Sequence, residues 1–150
     1  MANTFANLLY HIVFTTKGRI SSIREEFRDD LYRYIGGAIR GERGVLLEIG
    51  GVPDHLHILA KLKTDVAVSV IVQKVKGGSS KWLNERQDHR ERFEWQAGYG
   101  IFSVSESQVE KVRGYIRNQE EHHKHVSFKD ELIALLKRNR IEYDEKYLLG

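Results

Sequence analysis

Two strand-like segments joined by a short, turn-rich connection constrain the fold of this chain most strongly. The segments are VLLEIGG from Val45 and HLHILAKL from His55, and the connection between them reads Gly50-Gly51-Val52-Pro53-Asp54. Alternating or β-branched residues on both sides of a glycine- and proline-containing turn are typical of paired strands. The sequence therefore predicts an antiparallel hairpin in the first half of the chain.

Helical and extended patterns alternate around this hairpin. A first strand, LLYHIVFTT over residues 8–16, precedes a helix with a capping box at Ser22 and Glu25, which stops at Gly41 and Gly44. After the hairpin, apolar residues recur at helical spacing from Val68 to Trp82 across the pair Gly77-Gly78. The stretch EWQAGYGIFSVS from Glu94 predicts a fourth strand with a bulge or close backbone contact at its glycines.

Two further helices follow the fourth strand. Ser105 and Gln108 predict a capping box that opens a helix carrying Val109, Val112 and Ile116. Ser127, with Asp130 three residues later, opens a last helix whose apolar stripe is Phe128, Leu132, Leu135 and Leu136. The order predicts an α+β fold: a ferredoxin-like split β-α-β-β-α-β unit with a four-stranded antiparallel sheet and helices on one face, plus C-terminal helices. We expect residues 1–150 to form one domain, with 127–150 as its C-terminal helix and tail.

Composition excludes several kinds of site. The chain has 150 residues and no cysteine, which removes disulfides, thiolate zinc sites and cysteine nucleophiles, so any metal must bind nitrogen or oxygen. A net charge of +3 and a pI near 9.1 are compatible with a polyanionic partner but do not establish one. The start MANTFANLLYHIVF lacks the features of a signal peptide or membrane span, and we expect a cytoplasmic protein without a membrane partner.

His55 and His57 stand one residue apart inside an apolar run. On a strand they share one face while Leu56 and Ile58 share the other. A single strand histidine is commonly a hydrogen-bonded core or edge residue, but two buried on one face each need a polar partner. Imidazole is a common metal ligand, yet two ligands do not close a site.

A second group of polar side chains lies in VRGYIRNQEEHHKH, from Val112. On a helix, Tyr115 and Gln119 are neighbours four residues apart, and His122 lies on the same flank, at the margin of the Val109–Ile116 stripe. From there they could overhang a sheet. Alternatively, the tyrosine packs with its hydroxyl in water, the glutamine is solvated, and HHKH is a solvated helix end.

Taken together, these residues resemble the HUH single-strand DNA endonucleases. Within them the chain is similar to the single-tyrosine transposases of the IS200/IS605 type and their REP-associated relatives. The resemblance rests on His55-Leu56-His57, Tyr115 and Gln119, with further similarity in HIVFTTKGR, in WQAGYGIFSVS and in the order of elements. It covers about residues 5–125, and this combination is far more specific than a lone His-x-His.

The resemblance implies a DNA transposase that cuts and rejoins single-stranded DNA at hairpin-bearing ends. Tyr115 would form a 5′-phosphotyrosine, while His55, His57 and Gln119 would hold a divalent metal, Mg²⁺ or Mn²⁺. Because these three ligands are neutral, we expect modest metal affinity without DNA unless Asp54 compensates the charge. The family also implies a homodimer whose active sites are shared between subunits.

Contacts to DNA are predicted from basic and aromatic residues near the proposed site. Phosphates could be bound by lysines and arginines, and bases could stack on two aromatic rings, although solvated or packed side chains are equally compatible with the sequence. The candidates are Lys17, Arg19, Lys74, Lys76, Lys81, Trp95, Tyr99, Arg113 and Arg117.

Three other functions fit parts of the pattern. A replication initiator or relaxase shares the chemistry but usually has additional domains. A domesticated hairpin binder or an RNA-binding ferredoxin-like module would not need Tyr115, although the aromatic pattern of RNA-binding modules is not evident. A hydrolase using a metal-bound water at His55 and His57 would turn over independently of Tyr115.

Overall fold

A four-stranded antiparallel sheet organises the computed structural model, which describes residues 3–86 and 91–148. The strand order is β2-β3-β1-β4, so β3 and β1 are central. The strands are β1 Leu8–Thr15, β2 Val45–Val52, β3 His55–Leu62 and β4 Gly100–Val104. The helices are α1 Glu25–Gly41, α2 Val68–Asn84, α3 Val109–Arg117, α4 Gln119–His122 and α5 Phe128–Arg138. This architecture confirms the predicted α+β, ferredoxin-like order.

The β2–β3 hairpin is tighter than the sequence indicated. Val52 pairs with His55, so Pro53 and Asp54 alone form the turn and the glycines lie within β2. A Cβ atom on Gly51 would lie 2.2 Å from the carbonyl oxygen of His55. Only glycine fits at this position, and it fixes the start of β3 where the first histidine lies.

The two faces of the sheet are covered by different helices. On one face, α1 and α2 bury the main core, which includes Phe14, Leu31, Ile35, Leu56, Ile58 and Ile71. On the other face, α5 packs Phe128, Leu132, Leu135 and Leu136 against Val13 and Phe102. The face of β3 that carries the histidines is therefore enclosed by the C-terminal helices. Among the described residues, no helix is long and apolar enough to cross a membrane.

The fourth strand is shorter than predicted. It begins at Gly100 rather than Glu94, and Trp95 makes only an isolated bridge with Thr16. The residues before it leave the sheet because Phe93 and Trp95 are buried in the core and the Trp95 indole donates to Ser79 Oγ at 2.9 Å. Burial of the aromatic rings thus overrides their local preference for a strand.

Only one of the three predicted helix caps forms. Ser127 Oγ accepts from the backbone N–H of Asp130 at 3.1 Å, as expected for α5. The predictions at Ser22 and Ser105 were wrong. Helix α1 begins at Glu25 without a side-chain cap, and a short 3-10 turn, Glu106–Gln108, separates Ser105 from α3. Two further 3-10 turns are Lys17–Arg19 and Glu145–Tyr147.

Helix α3 approaches β2 at a position without a side chain. A Cβ atom on Gly50 would lie 2.6 Å from the carbonyl oxygen of Ile116, a distance that real Cβ atoms do not show. Ile116 is itself fully buried. Gly50 therefore allows the backbone of α3 to lie directly on the strand, at the residue that follows Tyr115.

Replacing Gly50 with alanine tests this contact. We expect Gly50→Ala to destabilise the protein by about 1–3 kcal/mol, because the added methyl overpacks a backbone contact that cannot move freely. Urea unfolding of both proteins would measure the difference. The matched control is Gly77→Ala in α2, where nothing lies within 4 Å of the added atom. That change should be neutral or stabilise by up to about 1 kcal/mol, and equal stabilities of both variants would contradict the packing described.

Candidate active site

His55 and His57 are completely buried on the sheet face that α5 covers. Their Nδ1 atoms are held from within the sheet and its turn: Asp54 Oδ1 accepts from His55 at 2.7 Å, and His57 shares a 2.8 Å hydrogen bond with His11 Nε2. A partner on Nδ1 leaves Nε2 of each ring as the atom presented to ligands. Both Nε2 atoms are directed toward the helices above the sheet.

Helices α3 and α4 bring the predicted tyrosine and glutamine to these imidazoles. The helical path breaks at Asn118 (φ −96°, ψ 21°), yet Gln119 reaches the cluster, with Oε1 3.2 Å from His55 Nε2. The ring of Tyr115 lies edge-on to His57, with centroids 5.6 Å apart. The structure thus brings together all four residues that the sequence nominated for catalysis and metal binding.

A carboxylate that the sequence did not nominate lies at the centre of this group. Glu131 of α5 is 3% exposed, and its Oε1 is 3.0 Å from His57 Nε2 and 3.4 Å from His55 Nε2. Its Oε2 accepts hydrogen bonds from the Tyr115 hydroxyl and, at 3.1 Å, from Gln119 Nε2. One buried side chain therefore contacts the paired histidines, the tyrosine and the glutamine.

The HHKH segment contributes two more imidazoles. His123 Nδ1 donates to the carbonyl of Val126 at 2.8 Å, and its Nε2 lies 2.9 Å from Gln119 Oε1 and 3.2 Å from Glu131 Oε1. His122 Nε2 lies 3.2 Å from Glu131 Oε2. This segment is therefore not only a solvated helix end, which was one of the two interpretations of the sequence.

Sequence signals for the missed residues exist but are weak. Glu131 stands three residues after Phe128 and one before Leu132, a position that the apolar stripe of α5 should fill. His11 shares a face of β1 with the apolar residues Leu9 and Val13. A polar residue in an apolar position indicates a buried partner, but it does not identify that partner.

Burial and hydrogen bonding set the charges of the cluster. Burial first, then the Glu131 carboxylate, raises the pKa of Tyr115 well above its ordinary value. Burial opposes ionisation of Glu131, but hydrogen bonds from His55, His57 and Tyr115 outweigh it and hold the pKa of Glu131 far below its usual range. Burial also lowers the pKa of His57, although Glu131 opposes that shift. The result is a protonated phenol facing an ionised, buried carboxylate.

These donors are suited to a divalent metal ion. One donor atom from each of His55, His57, His123 and Glu131 lies within 4.8 Å of the other three, and Gln119 Oε1 faces the same space. Mixed nitrogen and oxygen donors suit Mn²⁺ at least as well as Mg²⁺. The partners on Nδ1 of the paired histidines supply the orientation that metal-binding imidazoles require.

Most of the basic residues predicted to bind DNA are engaged by the protein itself. Lys74 pairs with Glu42, and Lys17 lies 3.1 Å from Glu94. Lys76 Nζ donates to backbone carbonyls of residues 96–98. Arg113 and Arg117 both contact Glu48, at 3.3 and 2.9 Å. Arg19 also has an acidic partner, since it lies 3.5 Å from Asp54. Because Asp54 holds His55, Arg19 lies beside the histidine cluster.

The two aromatic candidates differ in exposure. Trp95 is 9% exposed and packed in the core, so its ring is not presented for stacking with bases. Tyr99 is 42% exposed and lines a cavity of about 1180 Å³ beside α2. Lys17, Lys76 and Lys81 line the same cavity. Of the predicted stacking residues, only Tyr99 keeps a geometry that suits the role.

Comparison with known proteins gives the class of this protein, that of the IS200-like transposases. The family model described as "Transposase IS200 like" matches residues 4–119. The chain is 31% identical over 133 residues to the transposase for insertion sequence element IS200 of Salmonella typhimurium strain LT2, covering 83% of this chain and 84% of that protein. The IS200 transposase of Salmonella typhi matches equally. The chain belongs to the IS200-like transposase family.

Solved structures show the same fold. A Deinococcus radiodurans R1 protein assigned as a transposase aligns with a TM-score of 0.61 at 23% identity, covering 79% of this chain and 95% of that one. The REP-associated tyrosine transposase bound to a REP hairpin aligns with a TM-score of 0.63 at 14% identity, covering 84% and 74%. At these identities, the likeness establishes the architecture.

The buried His11 makes the stability of the metal-free protein depend on pH. Burial first, then His57, lowers the pKa of His11 from 6.5 to about 3. Between these values the unfolded chain binds a proton that folded His11 does not, so this residue makes stability fall as pH falls below 6.5. At pH 5 its contribution to the loss is about 2 kcal/mol.

A His11→Gln substitution tests this dependence. We expect the variant to lose less stability than the wild type between pH 7 and pH 5, by about 2 kcal/mol, when urea unfolding is measured with EDTA present. The control is His125→Gln, since that side chain is 75% exposed and outside the cluster. An unchanged acid dependence in His11→Gln would show that His11 is not held neutral.

Proposed function

We propose that this transposase cuts and rejoins single-stranded DNA through a 5′-phosphotyrosine formed on Tyr115. The observation that carries the proposal is the placement of the Tyr115 ring 5.6 Å from that of His57, within the same buried cluster as His55 and Gln119. A structural tyrosine has no need of two orientated imidazoles and a buried carboxylate around it. The cluster has the composition expected of a metal-assisted nucleophile.

The tyrosine suits strand joining better than simple hydrolysis. Its phenol oxygen would attack the scissile phosphorus and the bond from phosphorus to the 3′ oxygen would break. The phenol would lose one proton, and the leaving 3′ oxygen would gain one to become the 3′-OH. The phosphotyrosine keeps the energy of the phosphodiester bond, so rejoining needs no nucleotide cofactor. In this structure the phenol proton is directed at Oε2 of Glu131.

His55, His57 and Gln119 would hold the divalent ion, Mg²⁺ or Mn²⁺. When bound, such an ion supplies Lewis-acid polarisation of the scissile phosphate and stabilises charge on the transition-state oxygens. The protein prepares this site by fixing its histidines: Asp54 orientates His55, and His11 orientates His57. Preorganised ligands avoid rearrangement during the reaction.

We propose DNA hairpins as the substrate and a homodimer as the working form. The solved REP-associated relative is bound to a REP hairpin, which supports hairpin recognition here. We propose that Arg19 and Tyr99 contact the single strands that flank a hairpin, by phosphate binding and by stacking respectively. A single chain brings Tyr115 to its own histidines, so exchange of the tyrosine helix between subunits remains a prediction. Residues 1–150 would act as one domain, since α5 closes the site.

A covalent-adduct experiment tests the nucleophile. The protein is incubated with Mn²⁺ or Mg²⁺ and labelled single-stranded hairpin DNA from the flanks of its own gene, then run on a denaturing gel. We expect a protein–DNA band with the wild type and none with Tyr115→Phe, because the phenylalanine ring keeps the packing and removes the nucleophilic oxygen.

The matched control is Tyr147→Phe, which changes an exposed tyrosine in the C-terminal tail. This variant should form the adduct at the wild-type level. Cleavage without an adduct would instead indicate hydrolysis by a metal-bound water. Hairpin binding with neither cleavage nor adduct under both metals would indicate a domesticated hairpin binder, and either result would contradict the proposed function.

A further inference from the structure

We infer that Glu131 and His123 are ligands of the divalent metal, so that the C-terminal helix α5 supplies the metal site with a negatively charged donor. This inference deepens the proposed function and rests on it, because it takes the metal to lie at His55 and His57. Both added residues lie beyond residues 4–119, the part of the chain that the family model matches. The site would thus extend past the segment that defines the family.

The distances around Glu131 are those of neighbouring ligands on one ion. Its Oε1 lies 3.0 Å from His57 Nε2, 3.4 Å from His55 Nε2 and 3.2 Å from His123 Nε2. Metal–ligand bonds of about 2.0–2.2 Å place adjacent donors about 3 Å apart. The four donor atoms therefore need little movement to share an ion between them.

The free side of each ring is directed correctly for coordination. His123 has its Nδ1 bonded to the Val126 carbonyl, as Asp54 and His11 occupy Nδ1 of His55 and His57. All three rings consequently present Nε2 to the same space. A histidine held by a carbonyl or carboxylate through one nitrogen is the usual arrangement of a metal ligand.

The negative charge of the buried Glu131 carboxylate also favours a bound cation beside it. Among residues 3–86 and 91–148, no lysine or arginine nitrogen lies within 4.0 Å of this buried carboxylate, whose ion-pair partners there are all histidines. Burying a carboxylate without a compensating charge is unfavourable. A divalent cation compensates the carboxylate and accepts the imidazole lone pairs together.

The two oxygens of Glu131 divide between the metal ligands and the nucleophile. Oε1 faces the nitrogens of His55, His57 and His123. Oε2 accepts from Tyr115 and Gln119 and also lies 3.2 Å from His122 Nε2. The apolar residues on both sides of it in α5, Phe128 and Leu132, pack against the sheet face and fix its position. With a charged ligand in place, the protein should bind the metal more tightly in the absence of DNA than a site made from neutral ligands alone would.

Binding of Mn²⁺ to the DNA-free full-length protein, measured by isothermal titration calorimetry, tests the inference. We expect one site in the wild type and affinity weakened by about tenfold or more in Glu131→Gln and in His123→Gln, since each removes a ligand. The matched control is Glu121→Gln, whose carboxylate is 57% exposed and pairs with Lys124, and it should bind as the wild type does. Wild-type affinity in Glu131→Gln, or no Mn²⁺ binding by the wild type, would overturn the inference.

Two further measurements separate this inference from the proposed function. His57→Ala should abolish binding, and if it does while Glu131→Gln retains wild-type affinity, only the added ligand is wrong. Formation of the covalent Tyr115 adduct is a separate measurement. If the wild type forms no adduct, the result contradicts the role of Tyr115 as nucleophile and does not affect the proposed metal ligands.

Hydrogen exchange on the wild type covers the case in which Glu131→Gln does not fold. Mn²⁺ should slow exchange of the amides of α5, residues 128–138, because coordination by Glu131 ties that helix to the sheet. Mn²⁺ binding that leaves α5 exchange unchanged would overturn the inference without any substitution.

Discussion

The burial of two imidazoles on one face of the inner strand β3 is the constraint on which the rest of the structure depends. Each ring carries two nitrogens that need partners once water is excluded. The sheet and its turn satisfy one nitrogen of each, through Asp54 and His11, and cannot reach the other. The second nitrogens require groups from above the sheet, and α3, α4 and α5 cross that face to supply them. The hydrophobic contacts of α5 alone would not determine which of its side chains faces the imidazoles.

Much of the fold is readable from the sequence because each element carries its own local signal. Helical periodicity, alternation and glycine positions predict the β-α-β-β-α-β order, and His55 with His57 share a face by strand geometry alone. Tyr115 and Gln119 are predicted as neighbours by helical spacing, and they remain so despite the break at Asn118. Local rules therefore identify each half of the site, and the resemblance to a family joins them.

The features that the sequence did not predict are contacts between elements that are distant in the chain. Nothing local to β1 shows that His11 reaches the ring of His57, and nothing local to α5 shows which surface Glu131 faces. The predicted start of the fourth strand was wrong for the same reason, because Trp95 is buried in the core, where its indole donates to Ser79. Lys76 likewise looks like a surface cation in α2, but its ammonium holds the carbonyls of residues 96–98. Tertiary partners decide these positions.

The hydrogen bonds of the cluster also determine when it can form. They join residues separated by 46 positions for His11 and His57, 64 for His55 and Gln119, and 74 for His57 and Glu131. Closing such long loops costs chain entropy before any contact is gained, whereas the β2–β3 hairpin closes over a two-residue turn. Pairing of β2 with β3 should therefore precede assembly of the cluster during folding. The active-site geometry is thus a late product of folding, and it reports on the completeness of the whole tertiary structure.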